Sequence, residues 1–250
     1  MARIRKRDLI KVFFRSFYIQ AAWNYERMLG LGFCYCLIPI AKRLFKDEQK
    51  QVEFLKRHIG FFNSHPYMSS YALGAVANIE QQAVLKNWED SRPVDVFKKR
   101  IIGPLGAIGD TLFWQLLLPG LAILGVISLY LFNQWGALAF LFLYNFIHIF
   151  VRFRGLIKSY WKGFDIIRDL SLRGTKKYFQ ILKSIISFLL GFVILFVFFR
   201  IFHVEHEIKG TIVFFVSIIF SFFMMRKRTL TIDLMVVIVI LGSIIIGLLI

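Results

Sequence analysis

The sequence predicts an all-α integral membrane protein, with interfacial and re-entrant helices in its N-terminal part and about five membrane-crossing helices after residue 110. Composition is the first reason. Of 250 residues, 58% are hydrophobic and 19% charged, with 29 phenylalanines; soluble domains run to about 45–50% and about 25%. The second is arrangement, because the charges are bunched between long apolar runs. The third is the run Gly103-Pro-Leu-Gly-Ala-Ile-Gly-Asp110 at the mouth of an apolar stretch. Irregular backbone and a carboxylate at membrane depth are tolerated only where protein buries them or water reaches them. Solute carriers use discontinuous helices of this sort to present backbone dipoles to a ligand.

Two regions are expected, 1–100 and 101–250. In the first, residues 3–15 are strongly basic and lead into 13–28, where Phe13, Phe14, Phe17, Tyr18 and Ala21 make an apolar stripe at helical spacing. That reads as an interfacial amphipathic helix. No apolar core with a cleavage site follows the basic start, so no secretory signal is expected. Residues 29–41 are apolar but too short to cross alone, so a re-entrant or buried segment is expected. Cys34 and Cys36 read as small apolar fillers, since a Cys-x-Cys pair without a third ligand is a poor metal site. A charged helix is expected over 42–58. Residues 67–79 are again apolar, short and rich in small side chains, and end in Glu80-Gln81-Gln82.

After residue 110 the expected spans are 111–131, 135–151, 184–202, 211–225 and 231–250, with Asn133-Gln134 turning the first two into a hairpin. Basic residues set the orientation. Lys98-Lys99-Arg100 precedes the first span, a run from Arg152 to Lys183 follows the second, and Arg226-Lys227-Arg228 separates the last two. The positive-inside bias places all three clusters, and the N-terminus, in the cytoplasm. The formal charge of +17 then reads as loops facing anionic lipid. Nucleic-acid binding would want a soluble domain with exposed aromatics among the basic residues, which this chain lacks.

Four polar clusters are candidates for chemistry: Trp23 to Met28, Phe61 to Pro66, Glu80 to Gln82, and Gly103 to Asp110. A helix over the first would put Trp23 and Arg27 on one face with Asn24 beside them. An aromatic platform with Asn24, Glu26 and Arg27 nearby suits a sugar, because ring faces stack on C–H groups while amides and carboxylates bridge paired hydroxyls. A plain Glu26–Arg27 charge pair at the interface is the alternative. Pro66 pushes His65 out of helical geometry, and Asn63 is either a helix cap or a ligand. Glu80 closes an apolar run, where an unpaired carboxylate is costly, so it must find a partner, a proton or a substrate. Gly103, Gly106 and Gly109 permit close backbone approach or positive φ; no Gly-Lys-Ser/Thr follows, so this is not a phosphate loop. Asp110 either caps the helix that begins there or accepts from a substrate hydroxyl. No nucleophile–base pair, acid/base pair or metal-ligand spacing is evident, so neither catalysis by this chain nor a cofactor is expected.

At these clusters the sequence resembles the IID component of the mannose–fructose–sorbose family of phosphoenolpyruvate-dependent sugar phosphotransferase systems. The residues that carry the resemblance are R-S-F-Y-I-Q-A-A-W-N-Y-E-R-M at 15–28, L-G-F-C at 31–34 and R-H-I-G-F-F-N-S-H-P at 57–66. They continue with I-E-Q-Q at 79–82, G-P-L-G-A-I-G-D-T-L-F-W at 103–114 and Y-W-K-G-F-D-I-I-R-D-L at 160–170. The resemblance implies a multi-pass subunit of the bacterial cytoplasmic (inner) membrane. It implies pairing with a IIC subunit, in a trimer of IIC–IID heterodimers, around a hexose that IIB phosphorylates after being charged by IIA. The phosphorylated histidines of such systems lie on IIA and IIB. Near the substrate, the family's polar residues map to Asn24, Glu26, Asn63, Glu80 and Asp110. Gln81 departs from the pattern, since relatives usually carry a second acid there, and the loop at 203–209 is short.

The leading expectation is therefore a sugar-translocating permease subunit, with Trp23, Asn24, Glu26, Asn63, Glu80 and Asp110 at the substrate and a re-entrant segment hinged on Gly103, Gly106 and Gly109. The Gln81 departure keeps an alternative open, a degenerate regulatory or scaffolding subunit that binds the same partners without moving sugar. An autonomous lipid-modifying enzyme lacks a recognisable motif.

Overall fold

The structure, a computed structural model, describes residues 3–170 and 172–201. Among them the chain is helical, with two isolated β-bridges in the loops. The first of two compact units ends at Leu190.

The first helix, α1 (Lys6–Ser16), turns Leu9 and Val12 inward and leaves Ile10 and Phe14 exposed. It stops well short of the expected residue 28. Beyond it the chain runs through turns, because Asn24 and Met28 exchange both backbone hydrogen bonds and Met28 takes a positive φ of 53°. Next, α2 (Gly30–Leu44) is buried along most of its length, and Lys42 and Arg43 complement its C-terminal dipole. The expected helix over 42–58 is divided. Lys42 to Leu44 finish α2, Phe45 is extended, and Asp47 caps α3 (Glu48–His58) by accepting from the Gln49 amide at 2.8 Å.

The centre of the core is α4 (Ser69–Leu85), whose small side chains are buried nearly all round. It packs most extensively on α7 (Gln134–Lys162). A Cβ at Gly74 would lie 2.1 Å from the Leu156 carbonyl oxygen, so only glycine lets these backbones meet. Such small-residue contacts are how helices associate in a bilayer, where burying apolar surface gives little drive.

Helix α5 (Arg92–Gly109) passes straight through the boundary expected at residue 100. It continues as a π-helical segment, Asp110–Leu117, and then as α6 (Leu118–Phe132). Asn133, at φ 50°, turns the chain into α7. After a 3-10 turn (Gly163–Asp165) come α8 (Ile166–Asp169) and α9 (Leu172–Ile201). Two continuous helical stretches among the described residues are long and apolar enough to cross a bilayer, Arg92–Phe132 with 41 residues and Gln134–Asp169 with 36. Both exceed the roughly 20 residues of a crossing, and they contain the expected spans 111–131 and 135–151. Leu129, Phe132, Leu141, Phe142 and Phe146 remain exposed on this hairpin, as surfaces facing lipid or another apolar partner do. The span expected at 184–202 falls largely on α9. Those at 211–225 and 231–250, and the loop at 203–209, lie outside the described residues.

Candidate functional site

The loop at 59–66 is the hub that joins the four polar clusters. Its start follows α3, whose last residues, Arg57 and His58, reach Glu80 on α4. Its middle is stitched to the first cluster: the Phe62 amide donates to the Arg27 carbonyl at 3.2 Å, and the Leu29 amide donates to the Phe62 carbonyl at 2.9 Å. Its end, Ser64 and His65, lies against Gly106 and Gly109 of α5. The conformation follows from local chemistry. Pro66 disfavours helical geometry at His65, and glycine at 30 lets the Gly60 carbonyl oxygen come close, since a Cβ on Gly30 would lie 2.2 Å from it.

Glu80 finds a partner rather than standing free. Only 1% of its side chain is exposed. Arg57 Nε donates to Oε1 at 2.8 Å and Nη2 donates to Oε2 at 2.9 Å, while His58 Nε2 lies 2.8 Å from Oε1. Burial by itself would push the Glu80 carboxyl up; the hydrogen bonds from His58 and Arg57 outweigh it and hold it at about 2. Burial keeps His58 below its ordinary 6.5 despite the carboxylate. The imidazole is therefore neutral and donates through Nε2, leaving Nδ1 as a lone pair without a partner. On the same helix turn, Gln81 is also buried. Its Oε1 accepts from the Ile4 amide at 2.6 Å and from the Tyr160 hydroxyl at 3.2 Å, tying the N-terminal arm and α7 to α4. The amide that departs from the family pattern is thus a packing acceptor.

The first cluster is arranged differently from the expected helix face. Residues 23–28 lie in a tight turn, where Asn24 Oδ1 accepts from the Arg27 amide at 2.9 Å and its Nδ2 donates to the Ala22 carbonyl at 3.2 Å. Asn24 therefore shapes the turn. Glu26 is exposed and pairs with Arg27 at 3.3 Å, the interfacial charge pair that was the alternative. Trp23 is half-exposed, with its ring edge-on to Tyr25 at 4.8 Å. Asn63 is exposed and makes no side-chain hydrogen bond among the described residues, and α4 begins without a side-chain cap.

The glycine run also departs from expectation. Gly103, Gly106 and Gly109 lie inside α5, and no break separates them from the span. The irregularity is taken up as π-helix, which keeps backbone groups paired inside the segment and so suits a bilayer better than an open loop. Only Gly109 is in tight contact, where a Cβ would lie 2.3 Å from His65 Cβ. Because the helix does not begin at Asp110, that residue has no capping role. Its carboxylate is part-exposed on the π-helical segment and forms no ion pair or hydrogen bond among the described residues.

Sequence reasoning missed Arg57 and His58 as the partners of Glu80, and it missed Arg152. Arg152 is buried, donates to the Ser16 carbonyl and hydroxyl oxygens, and lies 5.0 Å from the ring centres of both Phe17 and Tyr67. By sequence it reads as one of the loop cations. The available signal was its place directly after the expected span 135–151.

The sequence profile described as the PTS system mannose/fructose/sorbose family IID component matches residues 3–250. The chain belongs to this IID family. Among relatives, the fructose permease IID component of Bacillus subtilis strain 168 is 33% identical over 169 residues, 68% of this chain and 62% of that protein. The mannose-specific EIID component of Escherichia coli K12 is 32% identical over 169 residues, covering 67% and 60%. The sorbose-specific EIID component of Klebsiella pneumoniae is 36% identical over 168 residues, covering 67% and 61%. The aligned part thus spans about three fifths of each relative's length. Two solved structures share the fold. One is a chain from the cryo-EM structure of the mannose transporter ManYZ in complex with microcin E492, with a TM-score of 0.63 at 25% identity, covering 99% of this chain and 96% of that one. The other is described as a membrane protein, with a TM-score of 0.71 at 25% identity, covering 98% and 96%. Two helical stretches long and apolar enough to cross a bilayer are consistent with a membrane protein of this family.

Proposed function

We propose that this IID-family chain forms, with a IIC subunit, the membrane path that carries a hexose to IIB for phosphorylation on the cytoplasmic side, with IIA recharging IIB. The observation that supports it most is Asp110, a carboxylate without an ion-pair partner among the described residues, set on an irregular turn of a membrane-length helix. An ionisable group in such a place marks a substrate path. Asp110 accepts from a sugar hydroxyl, Asn63 and the exposed Trp23–Glu26 turn face the substrate or the partner subunit, and Glu80 braces the loop between them. Five crossings, a cytoplasmic N-terminus and basic loops against anionic lipid complete the arrangement, in a trimer of IIC–IID heterodimers. Gln81 in a packing role favours transport over the degenerate regulatory subunit, whose motive was that residue.

The test is phosphoenolpyruvate-dependent phosphorylation of a hexose panel by membranes with and without this chain, supplied with IIC, IIB and IIA. Sugar phosphate formed only when the chain is present is the expected result. A stable complex with IIC that phosphorylates no hexose would replace this reading with the regulatory one.

A further inference from the structure

His65 sits at the end of the hub loop and is pressed into the helix that carries Asp110. A Cβ on Gly109 would lie 2.3 Å from His65 Cβ and 2.4 Å from Cγ, so the ring occupies a notch that only glycine leaves open. The imidazole also stacks on Phe113, with ring centres 5.0 Å apart and planes 14° from parallel, and lies 4.9 Å from Trp114. Tyr67 packs edge-on against the same Phe113 at 4.9 Å. His65 thus grips the residue just before Asp110 and the residue three beyond it.

The gripped segment is the π-helical one, which begins at Asp110. π-Helical turns are rare and occur mostly at functional sites. One extra residue in a helix rotates the side chains beyond it by about 100°, the step of a single residue, so the π-turn decides which way nearby groups point. A side chain packed tightly against the turn from outside the helix can hold that register. His65 is built for that task. It is 1% exposed, and its Nδ1 accepts from the Tyr67 amide at 3.3 Å, which fixes the ring's orientation. Burial, with a smaller contribution from the Arg152 charge, holds it at about 4, so the ring is neutral and able to stack between aromatic groups.

We propose that His65 is a positioning residue for Asp110: by filling the notch at Gly109 and stacking on Phe113, it holds the π-helical turn that aims the Asp110 carboxylate at the sugar. The inference rests on Asp110 being the sugar acceptor, and the experiment separates the two. Full-length chain is co-assembled with IIC in membranes, and KM for uptake is measured across the hexose panel. His65→Ala and Gly109→Ala are expected to raise KM by about tenfold or more, because small displacements of a positioning group are costly. His65→Phe, which keeps the stack, restores most of it. In an Asp110→Asn background, His65→Ala adds no further loss. A second readout needs no sugar: the rate at which a maleimide labels Asp110→Cys, with Cys34 and Cys36 buried, changes about tenfold when His65→Ala is added.

Normal KM in Asp110→Asn would overturn the reading of Asp110 and this inference with it. An impaired Asp110→Asn beside a normal His65→Ala, additive losses in the double variant, or an unchanged labelling rate would each overturn the inference alone.

Discussion

Arg57 and Glu80 meet edge to edge, Nε on Oε1 at 2.8 Å and Nη2 on Oε2 at 2.9 Å, joining the end of α3 to the end of α4. The planar fork of arginine matches a carboxylate in two hydrogen bonds at once, which fixes the angle between the groups as well as their distance. His58 occupies the remaining side of Oε1. The pair therefore sets where the hub loop starts, and through that loop where Phe62 and His65 lie.

Removing the carboxylate should be severe. Glu80→Ala leaves the Arg57 charge and the buried His58 donor without their acceptor, and loss of one member of a buried pair costs about 3–5 kcal/mol. The check is the melting temperature of the detergent-purified IIC complex. A melt within a degree of wild type would remove the bracing role assigned here.

The same cluster predicts acid lability. Unfolded His58 takes up a proton as pH falls below its ordinary 6.5, while the folded, buried ring resists it. Its stabilising contribution is therefore complete above 6.5 and declines below. Glu80 contributes fully above its ordinary 4.5 and loses that contribution as pH falls toward about 2. His65, held at about 4, acts in the same direction as His58. Melting temperature should be level above about pH 7 and fall progressively below about 6.5, with His58→Gln flattening the upper part of the fall. Melting temperatures that stay level from pH 7 to 5 would contradict this.

Gln81 supports a contrasting prediction. Gln81→Leu leaves the Ile4 amide and the Tyr160 hydroxyl unpaired and should cost about 2 kcal/mol or more, whereas Gln81→Glu still offers an acceptor to both. Thermal melts of the two variants, run beside sugar uptake, give the comparison. Equal stability of the leucine and glutamate variants would mean that the hydrogen bonds carry no weight.

Asp110→Ala should abolish uptake, a loss of about a hundredfold or more, because a site built to accept from a hydroxyl discriminates strongly when that acceptor is gone. Co-purification with IIC should be unchanged, since the carboxylate makes no ion pair or hydrogen bond among the described residues. Uptake at the wild-type rate in this variant would end the proposed role.

The four polar clusters were legible because each is a contiguous run in the sequence. The hairpin at Asn133 and the apolar stretches around it could be read from local hydropathy, and the need of Glu80 for a partner followed from its place at the end of an apolar run. The identity of that partner did not follow, because Arg57 lies 23 residues away in a segment with no periodic link to α4. Trp23–Met28 forms a turn where the sequence alone suggests a helix, for a related reason. Its composition tolerates a helix, but Asn24 closes a local turn that Phe62 of the hub loop then holds in place.

By itself the sequence determined the membrane class, the two long apolar stretches and membership in the IID family, because hydropathy, charge clustering and motif order accumulate residue by residue along the chain. Only the tertiary structure decided that the glycine run continues as a π-helical turn instead of breaking, that Glu80 is a bound anchor, and that Asp110 stands apart from it. Those outcomes depend on which distant side chains arrive at the same place, as His65 does at Gly109, and close packing between elements is not encoded in the local pattern of either one.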